Sequence, residues 1–311
     1  MIIKQQPFEA DRALRVIEAS RKKWEKAHTL MQAFLITILV AFFVLFFSNI
    51  IQSIPVPVRM ILIFLGVAAE WVGWIGLIVS AIIQAVKSKE YGNTYKQMLS
   101  KYVLQESFEN PVYDPLNGFT VEDFKAGHLI KWRDNFRYSS EDLIRAQYNG
   151  VEFQQADVRI THETGGKNRR TVVDIDGRLI RIKFHKPIGS RIVIATDERE
   201  VALEDKLSKV EMEDMEFNRE FDVFSEDGHS VFYLLTPQFM GYLKELRVID
   251  SFLFISFDGE DLYVLRSGKG GIFEPPHVKY AIDLEYEAEK NRKELREIKN
   301  IIEVLQLSKD E

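Results

Sequence analysis

Residues 30–51, LMQAFLITILVAFFVLFFSNII, and residues 61–86, ILIFLGVAAEWVGWIGLIVSAIIQAV, decide the architecture of this chain. A hydrocarbon core of ~30 Å needs about 20 predominantly apolar residues in a helix, and each run is long enough. They predict a transmembrane hairpin over 30–86, with spans at about 30–52 and 61–86. A cleaved signal peptide is excluded, because there are two runs and each exceeds a signal core of about 7–15 residues. Basic residues flank the hairpin: Arg12, Arg15, Arg21, Lys22, Lys23 and Lys26 before it, and Lys87, Lys89, Lys96 and Lys101 after it. The connecting loop carries only Arg59. The positive-inside rule therefore puts both termini in the cytoplasm of a two-pass protein of the cell (inner) membrane. The chain has no cysteine, which agrees with a reducing compartment. Its net charge of −6 gives no nucleic-acid signature.

Within the second span, Gly66, Ala69, Gly73, Gly76 and Ser80 recur at alternating three- and four-residue steps. Small residues in line let membrane helices approach closely. Glu70 borders that stripe, and a carboxylate at this depth is a functional-site hypothesis by default. The hairpin itself offers Glu70 no polar partner at matching depth on the first span. The expectation is a carboxyl capped by a backbone carbonyl, or a partner supplied by another chain through this face.

Outside the membrane, 1–29 reads as a juxtamembrane helix and 87–109 as a stalk helix. Leu14, Ile17, Trp24 and His28 on one, and Tyr91, Tyr95, Met98 and Tyr102 on the other, form facing stripes. Pro111 and Pro115 end the helix, and 110–281 reads as a cytoplasmic α+β domain. Thr120 with Asp123 predicts a capped helix over 121–131. Asn149-Gly150, Asp176-Gly177, Asp227-Gly228 and Asp258-Gly259 predict four hairpin turns and an antiparallel sheet. A turn at Asp176-Gly177 would put Val173, Ile175, Ile180 and Ile182 on a core face, and Arg170, Arg181 and Lys183 on a wet basic face. The pair around Asp258-Gly259 has two apolar faces, Leu253, Ile255 and Val264 against Phe252, Phe254, Tyr263 and Leu265. One cover is expected from a helix capped by Thr236-Pro237. Residues 282–311 form a charged C-terminal helix whose seam is Leu284, Ala288, Asn291, Leu295, Ile298, Ile302 and Leu305. That spacing suits a coiled coil with another chain, or an amphipathic helix folded back on its own domain.

The stretch 213–246, EDMEFNREFDVFSEDGHSVFYLLTPQFMGYLKEL, resembles an uncharacterised bacterial membrane-protein family, a domain of unknown function. The resemblance lies in Glu216-Phe217-Asn218, Phe221-x-Val223, Asp227 and Leu235-Thr236-Pro237-x-Phe239-Met240. It implies two N-terminal spans followed by a cytoplasmic domain. It implies no catalytic residue and no cofactor.

No chemical motif emerges from spacing. The six histidines form no close metal pair, and without cysteine the common structural zinc sites are excluded, so no metal is expected. Ser267-Gly268-Lys269-Gly270-Gly271 lacks the phosphate-loop spacing and precedes Pro275-Pro276 rather than a helix. No G-x-S-x-G elbow is present. Residues 159–199 hold ten basic residues against five acidic, which makes Arg170, Arg181 and Lys183 candidates for touching anionic lipid. The expectation is a non-enzymatic membrane-anchored binding or scaffold subunit. It would join other membrane subunits, or copies of itself, through the second span and C-terminal helix. The alternatives are a tethered sensor for an anionic lipid or nucleotide, and an enzyme whose site is assembled from distant residues.

Overall fold

The computed structural model describes residues 6–50, 55–166, 169–197, 201–202, 207–249, 251–268 and 271–305. The chain divides into two compact units, Met1–Leu99 with Pro275–Glu285, and Ser100–Glu274 with Tyr286–Glu311.

The first unit is built on α1 (Gln6–Ile50) and α2 (Val56–Ser107), both long and apolar enough to cross a membrane. Pro55 and Pro57 fall before and inside the first turn of α2, where a missing N–H costs nothing. The helices run antiparallel, with Gly66, Gly73 and Gly76 packed on Leu45, Ile38 and Phe34. A Cβ on Gly66 would sit 2.7 Å from Leu45 Cδ2, and one on Gly73 2.6 Å from Ile38 Cγ1. At Gly76 it would enter the Phe34 ring. The small-residue stripe is therefore filled by α1 of the same chain, with Ala41 and Ser80 buried.

Beyond the apolar segments the two helices stay paired. Trp24 and Tyr91 pack with tilted rings, centroids 5.3 Å apart, Lys23 pairs with Glu90 at 3.3 Å, and Gln84 bonds His28 at 3.1 Å. Ile17, Tyr91, Tyr95 and Leu99 are buried. The stalk stripes thus meet as expected, with Leu99 rather than Met98 as the fully buried residue.

The second unit holds a seven-stranded antiparallel sheet among its described residues. Its strands are β1 (Glu109–Asp114), β2 (Arg137–Tyr148), β3 (Val151–Thr164), β4 (Arg170–Ala195), β5 (Ser208–Val210), β6 (Asp222–Ser225) and β7 (Leu253–Ser267). The order is β1-β2-β3-β4-β6-β5, with β7 pairing β4. The long β4 organises it: one edge meets β3 and then β6, while the other meets β7 over Gly177–Ala195. One face carries the core of Leu143, Ala156, Val158, Ile160, Leu179, Phe254 and Leu265 under α3 (Val121–Ala126), whose capping box joins Thr120 and Asp123. α3 is shorter than the predicted 121–131, because the chain turns at His128 with a φ of 47°. The other face is covered by α7 (Leu284–Val304). There Ala288, Asn291, Leu295, Ile298 and Ile302 are buried, and Asn291 Oδ1 accepts the Phe273 N–H at 3.0 Å. The seam from Ala288 to Ile302 is thus covered within its own domain, the second of the two arrangements that its spacing suits.

Of the four turn signals, one is a turn. Asn149 and Gly150, with φ of 51° and 74°, join β2 to β3. Asp176-Gly177 lies inside β4, where a Cβ on Gly177 would collide with the Arg266 carbonyl oxygen. Asp227 instead caps α5 (Gly228–Leu234) by accepting the His229 N–H at 3.1 Å. Gly259, φ 60°, sits at a register shift within β7. The apolar faces assigned around Asp258-Gly259 hold despite the missing turn, because the irregularity returns Tyr263 and Leu265 to the side of Phe254. α6 (Pro237–Ile249) begins with Thr236 Oγ1 accepting the Phe239 N–H at 3.2 Å, and Phe239 packs edge-on against Phe257.

Candidate functional site

Three groups of chemically capable side chains stand out, the first in the hairpin. Glu70 Oε2 accepts the Trp74 indole N–H at 3.1 Å. A backbone carbonyl or a group from another chain was expected as its partner, and the indole lies one turn along the same helix. The i, i+4 spacing of Glu70 and Trp74 was the available signal. Glu70, which borders the glycines that pack on α1, is part-buried, and Trp74 is half exposed.

The second group includes the basic residues of β4. Arg170 and Arg181 are eleven positions apart on one strand, which separates them by about 35 Å, so the three do not form one patch. Arg181 is half-buried: its Nε and Nη2 donate to Asp261 at 2.9 and 2.7 Å, and its guanidinium lies 5.5 Å from the Tyr263 ring centroid. The Asp261 hydrogen bond holds the Arg181 pKa above its ordinary value. Lys183 is exposed. With Arg145 of β2, Arg181 and Lys183 line a small cavity of about 250 Å³ at one end of the sheet, completed by Asn110, Gln147, Glu152 and Gln154. Arg145 was missed, because the register that brings β2 to β4 through β3 is not visible in the sequence.

The third group escaped sequence reasoning altogether. A register shift between Glu141 and Ile144 leaves Asp142 with a φ of 61° and no exposed surface, which turns its carboxylate into the core, where the Tyr113 hydroxyl donates to Oδ1. Burial, then the Asp142 charge, pushes the Tyr113 pKa up. On β3, Asp157 Oδ1 accepts from Arg178 Nε at 3.2 Å and Oδ2 from the Ile272 N–H at 3.0 Å. Burial raises its pKa to about 6 against the opposing pull of Arg178. Arg178, 7% exposed, also pairs with Glu294 of α7 at 2.6 Å, and Arg266 pairs with Glu297. These charges clamp α7 to the sheet. In the first unit, Arg21 is buried too. Its Nη1 donates to the Val278 carbonyl at 2.7 Å, and its neighbour Glu18 accepts the Ile282 N–H at 3.1 Å. A residue read only as a topogenic charge thus also ties a late segment to the stalk.

Among the described residues no group of three or more His, Cys, Asp or Glu is arranged to hold a metal ion.

Residues 174–307 match the family described as a protein of unknown function (DUF3137). That span opens in β4, ends just beyond α7, and contains the stretch 213–246 that carried the resemblance. Comparison with curated proteins finds no match. The crystal structure of the mycobacterial trehalose monomycolate transport factor A, TtfA, aligns over 68% of this chain and 96% of that one. The identity is 7% and the TM-score 0.33, a likeness that carries no argument.

Proposed function

We propose that the protein is a two-pass inner-membrane subunit with both termini in the cytoplasm, which binds and organises partner proteins and performs no catalysis. One observation carries the membrane part of this reading: the apolar helices leave their greasy surface bare. The most apolar windows of the two helices are 6% and 11% buried, and Phe64 and Trp71 are 74% and 68% exposed. A core helix of a soluble protein hides such a face, so lipid or a partner helix is what these residues suit. The basic residues on the outer flanks of the hairpin support the orientation. With the glycine face already filled by α1, the surface left for a partner helix is the one bearing Glu70, Trp71 and Trp74.

The test is extraction of native membranes into polymer-bounded discs after an alkaline wash. The expected result is retention in the membrane and a particle containing more than one chain in fixed stoichiometry. Release by the wash would overturn the membrane reading, and a disc holding one copy alone would overturn the scaffold reading.

A further inference from the structure

We propose that the cavity at the Arg145–Arg181 end of the sheet binds a single phosphate group, carried by a soluble phosphomonoester or by a lipid headgroup. Arg145 opposes Gln154, Gln154 opposes Arg181, and Arg181 opposes Tyr263, so these side chains share one rung and one face. Adjacent strands are about 4.8 Å apart, which sets the Arg145 and Arg181 backbones about 10 Å apart, within reach of a common anion. Gln147 and Glu152 form the next rung beside Lys183 and Asp261. Further along, the same face is the apolar core around Ala156, Val158 and Leu179. The polar rungs mark where that core gives way to an open, basic end.

Three details select the ligand. Within the lining, Arg145, Arg181 and Lys183 meet one carboxylate, Glu152, which already accepts from Gln147 at 3.3 Å; just outside it, Asp261 takes two of the Arg181 donors and Asp114 interacts with Arg145, so the cationic excess belongs to the lining itself. A phosphomonoester, with about −1.5 to −2 charges at neutral pH, complements that excess. Arg181 is held rigid by Asp261 through Nε and Nη2, so Nη1 remains to serve a ligand without further ordering. Pockets for drug-sized ligands run from about 300 to 1,000 Å³. A cavity of about 250 Å³ suits a headgroup rather than a whole nucleotide.

The experiment uses the full chain in a neutral detergent at low salt. It titrates inorganic phosphate and dihexanoyl phosphatidic acid by calorimetry, with dihexanoyl phosphatidylcholine, a zwitterionic phosphodiester of no net charge, as the control. Saturable binding of phosphate, phosphatidic acid or both is expected, with none of the control. Preference for phosphatidic acid identifies a headgroup, and equal affinity identifies a free phosphate site. Arg145→Gln and Lys183→Gln, both at exposed positions, should each weaken binding at least tenfold without moving the urea midpoint. Lys290→Gln on α7 should leave it unchanged. Absence of saturable binding overturns the proposal, as does unchanged affinity in the Arg145→Gln, Lys183→Gln double variant. Neither result touches the scaffold reading, which the disc experiment tests separately.

Discussion

Replacing Arg178 with Met keeps an unbranched stem in a well-packed position and removes one buried charge. Arg178 is 7% exposed and joins two carboxylates, Asp157 at 3.2 Å and Glu294 at 2.6 Å. Breaking a buried ion pair from one side costs about 3–5 kcal/mol, because the abandoned charge stays buried. Protonation of Asp157 limits the loss at about 1.4 kcal/mol per pKa unit, and its carboxyl already sits at about 6. Arg178 links β4 to α7, so the loss should appear as easier detachment of that helix. At 1.4 kcal/mol per tenfold, amides from Asn291 to Ile302 should exchange about a hundred- to several-thousand-fold faster. The assay is hydrogen exchange with mass spectrometry on the full chain in mild detergent, alongside urea unfolding. Glu294→Gln, which leaves Arg178 paired with Asp157, should cost less, about 1–3 kcal/mol. An Arg178→Met loss below about 1 kcal/mol with unchanged α7 exchange would refute the clamp, since the assumed penalty for a stranded carboxylate would be absent.

Three further outcomes are expected. Gly76→Leu should separate the spans, because the new side chain would occupy the Phe34 ring; overpacking costs about 1–3 kcal/mol. A cysteine pair placed across α1 and α2 would report this as lost cross-linking, and unchanged cross-linking would contradict the packing. For Glu70, Glu70→Gln should keep the acceptor for the Trp74 N–H and leave particle size in discs unchanged, whereas Glu70→Leu should reduce any partner held there. Loss of function by Glu70→Leu with assembly intact would point instead to a proton or ion site. Asp157 has a folded pKa raised by burial from 3.8 to about 6, so its stabilising proton is fully present below about pH 4 and lost as pH rises through 6. The slope amounts to at most about 3 kcal/mol. Asp157→Asn should flatten it in urea midpoints measured from pH 4 to 8, and an unaltered slope would assign it to another group.

The two apolar helices and the antiparallel α+β domain were legible because each rests on a long, periodic pattern. The Asp-Gly signals failed for a physical reason. Glycine after aspartate marks a local backbone need, which a close approach at Gly177, a helix cap at Asp227 and a register shift at Gly259 satisfy as well as a turn. Losing the turn at 176–177 merged two short strands into β4. Arg170 was then carried far from Arg181 and Lys183, while Arg145 was brought near them. The network of Tyr113, Asp142, Asp157, Arg178 and Glu294 could not be read, since β1, β2, β3, β4 and α7 each contribute one member. Asn291 shows the reverse case. A polar residue in an apolar seam suited a coiled-coil register, and the same amide serves the Phe273 N–H inside one domain.

Single cysteines at Val56 and Ser208 test the central claim most directly, because the chain has no native cysteine to confuse the signal. Val56 opens α2 at the hairpin tip and is 68% exposed, and Ser208 lies exposed in β5 of the sheet domain. Treated with an impermeant thiol reagent on intact cells, the Val56→Cys chain should be labelled. The Ser208→Cys chain should be labelled only after the cells are broken. Labelling of Ser208→Cys on intact cells, with Val56→Cys protected, would contradict the membrane orientation on which the proposed function rests.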